Sequence, residues 1–269
     1  MDPVRQEGYK FRQDVCIPCY QTNRNACLRP SAFMDMAQEI AYWAAQALGF
    51  GYDNLHEHHI AWVLSRMHIR FNKTLQWHQH ATLYTWHKGA NGLFYLRDFE
   101  LLGPDGTPAV QATSSWVVID ERTRHFVRPE ELPGTLVLDY EVADAIVEPA
   151  PKVMVPRDAR SEPGMTGEGP AMTREEPGMT GEEPGMTHVV ADSDLDILGH
   201  TNNVRYVVWA LDCLPPEVAQ QPMKDLSISF NRETTLGESV QLSRWQEENS
   251  WYVEGCVDGK SCFVVKMEF

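Results

Sequence analysis

The sequence has 269 residues, of which 43% are hydrophobic, and 38 acidic against 23 basic side chains give a formal net charge of −15 at pH 7. This length and composition are typical of a folded protein with one large or two modest domains. The acidic charge argues against a nucleic-acid-binding protein, and the apolar runs are too short to span a membrane. The N-terminal stretch MDPVRQEGYKF lacks the apolar core of a secretory signal, so we predict a cytoplasmic location.

Strand, turn and helix signals follow one another in the first half of the chain. We predict a strand over residues 9–17 and a helix over residues 31–48, with Ser31 as its N-cap and Gly49 as its stop. Apolar residues cover most of this helix, so we expect a sheet to wrap it. Alternating patterns then predict four strands, with a GPDG turn between the last two: residues 61–71, 81–87, 93–102 and 110–119.

Six cysteines are spread along the chain, and two of them, Cys16 and Cys19, form a lone CxxC motif. A structural zinc site usually needs a second such pair or two spaced histidines, and neither stands at a standard spacing here. A redox CxxC normally follows a strand and opens a helix, whereas this motif is followed by a turn. We therefore predict reduced cysteines, no metal and no cofactor.

A repetitive acidic stretch separates the two halves. Met-Thr recurs every seven residues, at 165, 172, 179 and 186, with Pro and Gly in nearly every unit. Such a composition buries too little apolar surface to offset the entropy of ordering. We predict a flexible linker over residues 160–187. The predicted domains are therefore residues 1–130 and 188–269, with residues 131–187 between them.

The second half repeats the plan of the first. We predict a strand at residues 188–191, a shorter helix with one apolar face around 204–211, and four further strands: residues 226–230, 239–245, 251–257 and 261–269. Residues 67–86 align without a gap on residues 226–245, a constant offset of 159 positions (67 to 226). This internal duplication predicts an α+β protein in which a long helix followed by antiparallel strands occurs twice.

Polar chemistry is concentrated in DSDLDILGHTNNVRYVVW, residues 192–209, where a strand turns into the second helix. Asp196 and His200 lie four positions apart across this turn, which favours convergence on one point. The helix start offers free N–H groups and a positive dipole end, so Asn202 and Asn203 are candidates for stabilising a developing oxyanion. The alternative interpretation is capping, because Asp and Asn precede many helices.

A comparison of the two halves favours function over capping. The equivalent stretch of the first half, QTNRNACLRPS, has neither Asp nor His. Glu233 is a second asymmetry, since it aligns with Thr74; it points into a site or is a solvated carboxylate at a strand end. Thr234 follows it and could donate a hydroxyl to substrate.

The chain resembles the acyl-acyl-carrier-protein (acyl-ACP) thioesterases, double hotdog enzymes of plants and bacteria. The resemblance is carried by AWVLSRMHIRFNKTLQWHQHATLYTW, GLFYLRDFEL and ATSSWVVIDERTRH in the first half, and by SDLDILGHTNNVRYVVW and FNRET in the second. It implies tandem hotdog domains, each a long helix wrapped by an antiparallel sheet. The family's catalytic Asp, His and Glu fall on Asp196, His200 and Glu233. A family Asn is replaced by Leu198 here, and a family Cys by Thr234.

The activity implied by this resemblance is hydrolysis of fatty acyl-ACP to free fatty acid and carrier protein. Asp196 would activate water or attack the carbonyl, with His200 and Glu233 assisting. The acyl chain would lie beside the first helix; candidate walls are Met34, Met36, Ile40, Tyr42, Trp43 and Trp62. Acidic carrier protein would dock on basic residues within 66–73 or 122–128.

Three alternatives stay open at the level of sequence. One is a thioesterase acting on acyl-CoA, another is a non-catalytic acyl-binding hotdog protein, and a weaker third is a hotdog dehydratase. The expected assembly is a monomer whose two halves pair like subunits, or a homodimer of such chains.

Overall fold

The structure is a computed structural model that describes residues 4–128, 141–156 and 179–269, with the side chains of 179–184 outside the description. In the first half, α1 spans Pro30–Ala47 and the short α2 spans Tyr52–His56. Seven strands accompany them: β1 Arg5–Glu7, β2 Lys10–Cys16, β3 Ile60–Phe71, β4 His80–Asn91, β5 Phe94–Leu102, β6 Pro108–Asp120 and β7 Phe126–Val127.

The second half contains one helix, α3, over Asn203–Asp212 within the described residues. Its strands are β8 Met179–Val189, β9 Asp225–Phe230, β10 Ser239–Glu247, β11 Ser250–Val257 and β12 Lys260–Glu268. Nine of the ten strands predicted from alternation match observed strands within a few residues. The exception is the strand predicted at 188–191, because β8 begins much earlier and ends at Val189.

The described strands form one antiparallel sheet in the order β1-β2-β4-β5-β6-β3-β9-β12-β11-β10-β8, with β7 beside β6. From the centre of the sheet outward, the strands of the first half follow the order β3-β6-β5-β4-β2. The strands of the second half have the same arrangement, in the order β9-β12-β11-β10-β8. The halves meet where β3 pairs with β9, and His68 pairs there with Ser227, its own counterpart 159 positions later (68 to 227). The sheet therefore has an internal twofold relation, which agrees with the sequence duplication.

Helix α1 begins differently from the prediction. Its N-cap is Arg29, Pro30 occupies the first helical turn, and Ser31 is buried inside the helix rather than capping it. Pro at this position costs nothing because the first N–H groups have no intrahelical acceptor. Gly49 follows the helix with φ +78°, as a C-terminal stop requires.

One face of α1 packs on the sheet and the other faces solvent. Phe33, Met36 and Ile40 are buried with α3 residues in a shared core. The side chains of Tyr42 and Trp43 are 38% and 48% exposed. The prediction of a helix enclosed on most sides was therefore wrong, because composition alone does not show which apolar residues face the sheet. No helix in the described parts of the chain is long and apolar enough to cross a membrane.

Two parts of the predicted linker are ordered against the sheet. Residues 141–156 are held by Trp86, whose Nε1 donates to the Ala143 carbonyl at 2.9 Å, and by Ser229, whose Oγ accepts the Val153 N–H at 2.8 Å. Residues 179–187 lie in β8 and pair with β10, so the prediction of a flexible segment was wrong there. Residues 157–178 lie outside the described residues, and the domain limits stay predictions.

Candidate functional site

The loop before α3 is anchored by a buried carboxylate. Asp194 is 1% exposed and accepts from the Ala191 N–H at 3.0 Å, from His188 Nε2 at 2.8 Å and from Arg205 Nε at 2.7 Å. Burial alone would raise the pKa of Asp194, but these three donors outweigh burial and lower it. Asp194 therefore fixes the loop between β8 and α3 and is fully occupied in doing so.

Asp196 closes a tight turn in this loop. Its Oδ1 accepts the backbone N–H of Leu198 at 2.9 Å and that of His200 at 3.3 Å, and its own N–H donates to the His200 carbonyl at 2.8 Å. Gly199 has φ +76°, a conformation that favours glycine. The second carboxylate oxygen, Oδ2, has no hydrogen-bond partner among the described residues, so it is available for chemistry.

His200 belongs to a chain of polar side chains that joins the two halves. Its Nε2 lies 3.1 Å from Oε2 of Glu233, and Oε1 of Glu233 accepts from Arg124 at 2.5 Å. Arg124 is in the turn after β6, while His200 and Glu233 come from the second half. The three side chains are about one-third to one-half exposed, so substrate and water can reach them.

The start of α3 supplies an anion-stabilising end. The Asn202 side chain is the N-cap and accepts the Val204 N–H at 2.9 Å. The Asn203 N–H, the first of the helix, has no acceptor in the described part of the chain. An unpaired N–H at a helix start favours a negatively charged oxygen. Asn202 therefore caps, and Asn203 is the better placed of the two to bind an oxyanion.

Thr234 is far from solvent and is already hydrogen-bonded. It is 0% exposed, and its Oγ1 lies 2.7 Å from Thr201 Oγ1 and 3.1 Å from the Tyr206 hydroxyl. Its side chain ties the loop after β9 to Tyr206 of α3 and does not line the cavity described next. The structure thus gives Thr234 a packing role in place of the predicted contact with substrate.

A cavity of about 270 Å³ opens beside the Asp196 turn. Asp196, Ile197, Leu198 and Asn203 form one part of its lining, and the remaining walls come from the first half. Tyr42 and Trp62 line it as predicted. The other predicted wall residues do not: Met36 and Ile40 lie in the core, Met34 lines a smaller neighbouring pocket, and Trp43 faces solvent.

The twofold-related turn of the first half has the same backbone geometry. Asn23 Oδ1 accepts the N–H groups of Asn25 at 2.9 Å and Cys27 at 3.0 Å, and the Asn23 N–H donates to the Cys27 carbonyl at 2.8 Å. Asn23 thus replaces Asp196 and Cys27 replaces His200. An amide is sufficient to build this turn, so the carboxylate of Asp196 is not required by the fold.

A second cavity, of about 290 Å³, adjoins the Asn23 turn and α3. Its lining includes Asn23, Cys27 and Thr74, the counterparts of Asp196, His200 and Glu233. Although slightly larger, this cavity has no carboxylate and no imidazole at its turn. The smaller cavity is therefore the candidate active site, since Asp196 lines it; His200 and Glu233 lie on the same loop region but are not among its lining residues.

Sequence reasoning missed two contributors to the site. Arg124 was considered only as a docking charge, because its contact with Glu233 spans 109 positions of sequence. Asn23 was passed over because an Asn in a turn is unremarkable in a single sequence. The two loops correspond through the isolated β-bridges that close them, Thr22 with Leu28 and Leu195 with Thr201. These bridges are visible only in the structure.

The fold and the site together define an α+β protein with a carboxylate and an imidazole beside an apolar cavity. Residues 8–132 match the N-terminal domain of acyl-ACP thioesterases, and residues 183–259 match the C-terminal domain. The two domains occur in the family's order and cover most of the chain. The chain belongs to the acyl-ACP thioesterase family.

Curated relatives from plants agree with this assignment. The chain is 25% identical over 244 residues to a chloroplastic acyl-[acyl-carrier-protein] hydrolase of Cuphea viscosissima, covering 87% of this chain and 54% of the relative. It is 26% identical over 245 residues to the chloroplastic oleoyl-acyl carrier protein thioesterase 2 of Arabidopsis thaliana, covering 86% and 61%. The chain thus spans between half and two thirds of the length of these relatives.

Solved structures share the fold over nearly the whole chain. An acyl-ACP thioesterase from Bacteroides thetaiotaomicron superposes with a TM-score of 0.81 at 23% identity, covering 97% of this chain and 98% of that one. The 12:0-ACP thioesterase from Umbellularia californica gives a TM-score of 0.74 at 19% identity, with 98% of each chain covered. At this level of identity, the likeness shows the fold alone.

Proposed function

We propose that this protein hydrolyses the thioester of fatty acyl-ACP, releasing a free fatty acid and the carrier protein. The two halves are interpreted as tandem hotdog domains, the first holding the acyl chain and the second supplying the catalytic groups. The observation that carries the proposal is that Asp196 and Asn203, the first residue of α3, line the same apolar-walled cavity. Their counterparts at the second cavity, Asn23 and Pro30, lack both the carboxylate and the N–H.

The proposed chemistry uses this geometry directly. The thioester carbonyl oxygen accepts from the Asn203 N–H, and the positive end of α3 stabilises the oxyanion of the tetrahedral intermediate. Asp196 Oδ2 takes a proton from the attacking water, or attacks the carbonyl carbon itself. The carbon–sulfur bond then breaks, and the leaving thiolate takes a proton from His200. Glu233 orients His200 and stabilises its protonated form.

The two roles of Asp196 leave different isotopic traces. If Asp196 attacks, an acyl-enzyme anhydride forms and its hydrolysis can place solvent oxygen in the carboxylate. A single turnover in water enriched in oxygen-18, followed by mass spectrometry of the Asp196 peptide, separates the two. Label in Asp196 indicates the nucleophile, whereas label only in the fatty acid indicates either the base or water attack at the acyl carbon of the anhydride, and trapping of an acyl-enzyme with hydroxylamine distinguishes these two.

Acyl-ACP is proposed as the substrate because the family and its relatives are named for it. Carrier protein is acidic, and Arg122 and Arg128 are exposed near the Arg124–Glu233 contact, where they could receive it. The cytoplasmic location stays a prediction, and the plant relatives are named as chloroplastic. The β3–β9 junction already supplies the pairing of two halves, so a monomer is the proposed minimum assembly.

The direct test is release of free thiol from a panel of acyl-ACP thioesters of different chain length. Each chain length is also presented as acyl-CoA. We expect turnover with acyl-ACP, and a lower kcat/KM with the matched acyl-CoA. Equal or better use of acyl-CoA would transfer the assignment to acyl-CoA hydrolysis, and binding without thiol release would indicate an acyl-binding protein.

A further inference from the structure

The second cavity is built like the candidate active-site cavity, yet the proposed mechanism does not use it. Each cavity lies between the helix of one half and the turn of the other: the first between α1 and the Asp196 turn, the second between α3 and the Asn23 turn. Residues 60–62 line the first cavity, and residues 219–221, which lie 159 positions later (60 to 219), line the second. The internal twofold relation of the sheet therefore extends to the two cavities.

The walls of the second cavity are largely apolar. Its volume of about 290 Å³ is close to that of the first cavity and to the lower limit of ordinary ligand pockets. Several of its lining residues pack against the hydrophobic core while remaining only partly buried: Leu28, Phe71, Val208, Leu211, Met223 and Phe269. An apolar chain that covered these side chains would remove their remaining surface from water, which is favourable.

This cavity lacks the groups that the proposed chemistry needs. Asn23 takes the place of Asp196, and Pro30, which has no N–H, takes the place of Asn203 as the first residue of the helix. A thioester bound here would meet no carboxylate at the turn and no N–H at the first helical position. The second cavity is therefore suited to binding without hydrolysis.

Arg29 gives the second cavity a cation at the start of α1. It precedes α1 as Asn202 precedes α3, but its side chain does not cap the helix. Among the described residues its guanidinium donates only to the Tyr20 carbonyl and forms no ion pair with a carboxylate. The other cation of the lining, Lys73, is already paired with Asp105 at 2.6 Å. Since a guanidinium has five N–H donors, most of those of Arg29 are open to solvent or to an anionic ligand.

Asp212, near the end of α3, is the acidic side chain of this lining within the described parts of the chain. Burial raises the pKa of Asp212, and the charges of Arg205 and His188 oppose that rise. A raised pKa favours the neutral carboxyl, which repels an anion less than a carboxylate does. Arg29 is thus the charged group of the lining that a ligand can complement.

We propose that the second cavity binds an unbranched free fatty acid and does not hydrolyse thioesters. The chain of the fatty acid lies against the apolar wall that α3 provides, and its carboxylate pairs with Arg29. This ligand has the chemistry of the product of the proposed reaction, but the site goes beyond that function, which uses the first cavity alone.

Cys27 reports directly on the second cavity, because it lines this cavity and is partly exposed. Cys19 is exposed and lines neither cavity, so it serves as an internal control. Labelling of both thiols with N-ethylmaleimide is timed by mass spectrometry of their peptides, with and without decanoate below its critical micelle concentration. We expect decanoate to slow the labelling of Cys27 severalfold and to leave that of Cys19 unchanged. Decan-1-ol, which has the same chain without the carboxylate, should need an at least about tenfold higher concentration for equal protection.

Variants of the full chain identify the site. Arg29→Met should remove the advantage of decanoate over decan-1-ol and Arg29→Lys should keep part of it, whereas Arg24→Met, which removes an exposed guanidinium outside the lining, should change nothing. Ala219→Trp should fill the second cavity and abolish the protection of Cys27 by decanoate. Ala45→Trp, which places the same side chain in the first cavity, should leave the protection intact. Thermal melting confirms that each variant is folded.

Unchanged labelling of Cys27, equal slowing at Cys19, or equal protection by decan-1-ol would overturn the inference. A preference for decanoate that survives in Arg29→Met, or protection that survives in Ala219→Trp, would do so as well. Asp212→Asn should keep or strengthen the protection, and its loss there would count against an anionic ligand. Hydrolysis of acyl-ACP is scored separately: hydrolysis without protection leaves the proposed function standing, and protection without hydrolysis leaves only the binding site.

Discussion

At the scale of single residues, the partly exposed side-chain contacts Arg124–Glu233–His200 connect the two halves of the molecule. Exposed ion pairs contribute little to stability, so these contacts matter for geometry more than for folding. Glu233 divides its two oxygens between a cation and the imidazole. Arg124 is therefore interpreted as a positioning residue that fixes the carboxylate against which His200 is oriented.

Arg124→Gln should lower kcat for a small thioester by between about tenfold and a hundredfold, because it lets Glu233 move away from His200. KM for the same thioester and the melting temperature should change little. Arg122→Gln, which removes an exposed guanidinium two positions away, is the matched control and should retain the parent kcat. Steady-state kinetics on the two variants provide the test. Equal kcat values for both would show that Arg124 does not position Glu233 and His200.

His87 predicts a pH dependence of stability. Burial lowers the pKa of His87 from 6.5 to about 3. Between these two pH values the imidazole is therefore protonated in the unfolded chain and neutral in the folded protein. Above about pH 6.5, His87 does not lower the free energy of unfolding. As pH falls from there towards 3, the free energy of unfolding decreases by about 1.4 kcal/mol per pH unit.

Urea unfolding of His87→Leu measured between pH 7 and pH 4 should show a flatter decline than the parent protein. His80→Gln, which removes an exposed histidine from the same strand, should keep the parent slope. A decline in His87→Leu as steep as that of the parent would show that other groups produce the acid sensitivity.

At the scale of elements, most strands and both long helices follow from local patterns in the sequence. Alternation located β3 and β9, and apolar spacing located α1 and α3. The limits of α1 were less predictable, since Arg29 and Pro30 define its start without a side-chain cap. β8 was hidden because its Pro and Gly composition resembles a linker, while pairing with β10 supplies what the local sequence lacks.

The N-cap of α3 should contribute measurably to the free energy of unfolding. Asn202→Ala removes the acceptor of the Val204 N–H and should cost about 1 kcal/mol of unfolding free energy. Asn202→Asp keeps an acceptor at the same position and should restore most of that loss. Denaturant unfolding of both variants provides the check, and an unchanged midpoint for Asn202→Ala would mean that the helix start is held by Asp194 alone.

At the scale of the whole molecule, the two halves share one arrangement of strands, but the candidate active site belongs to only one of the two related turns. The twofold-related turns have the same hydrogen bonds, but only the turn of the second half has the carboxylate and the imidazole. Sequence alone could indicate Asp196, His200 and Glu233 from this asymmetry. It could not bring Arg124 to Glu233, or His87 on β4 and Arg97 on β5 to the cavity wall, because those positions depend on strand order across the sheet.

Docking of carrier protein should depend on exposed charges on the surface of the molecule. A double charge reversal, Arg122→Glu with Arg128→Glu, should raise KM for acyl-ACP about tenfold or more by repelling an acidic partner. KM for a small acyl thioester should be unchanged. The increase should shrink in high salt, because exposed charges are screened. A KM that rises equally for both substrates would indicate damage to the cavity instead.

The central claim is that the carboxylate of Asp196 performs the chemistry, and Asp196→Asn tests it most directly. Asn23 shows that an amide builds the same turn, so this variant should fold and melt like the parent protein. We predict that its turnover of acyl-ACP falls at least about a hundredfold. Parent-level turnover by a folded Asp196→Asn enzyme would contradict the account.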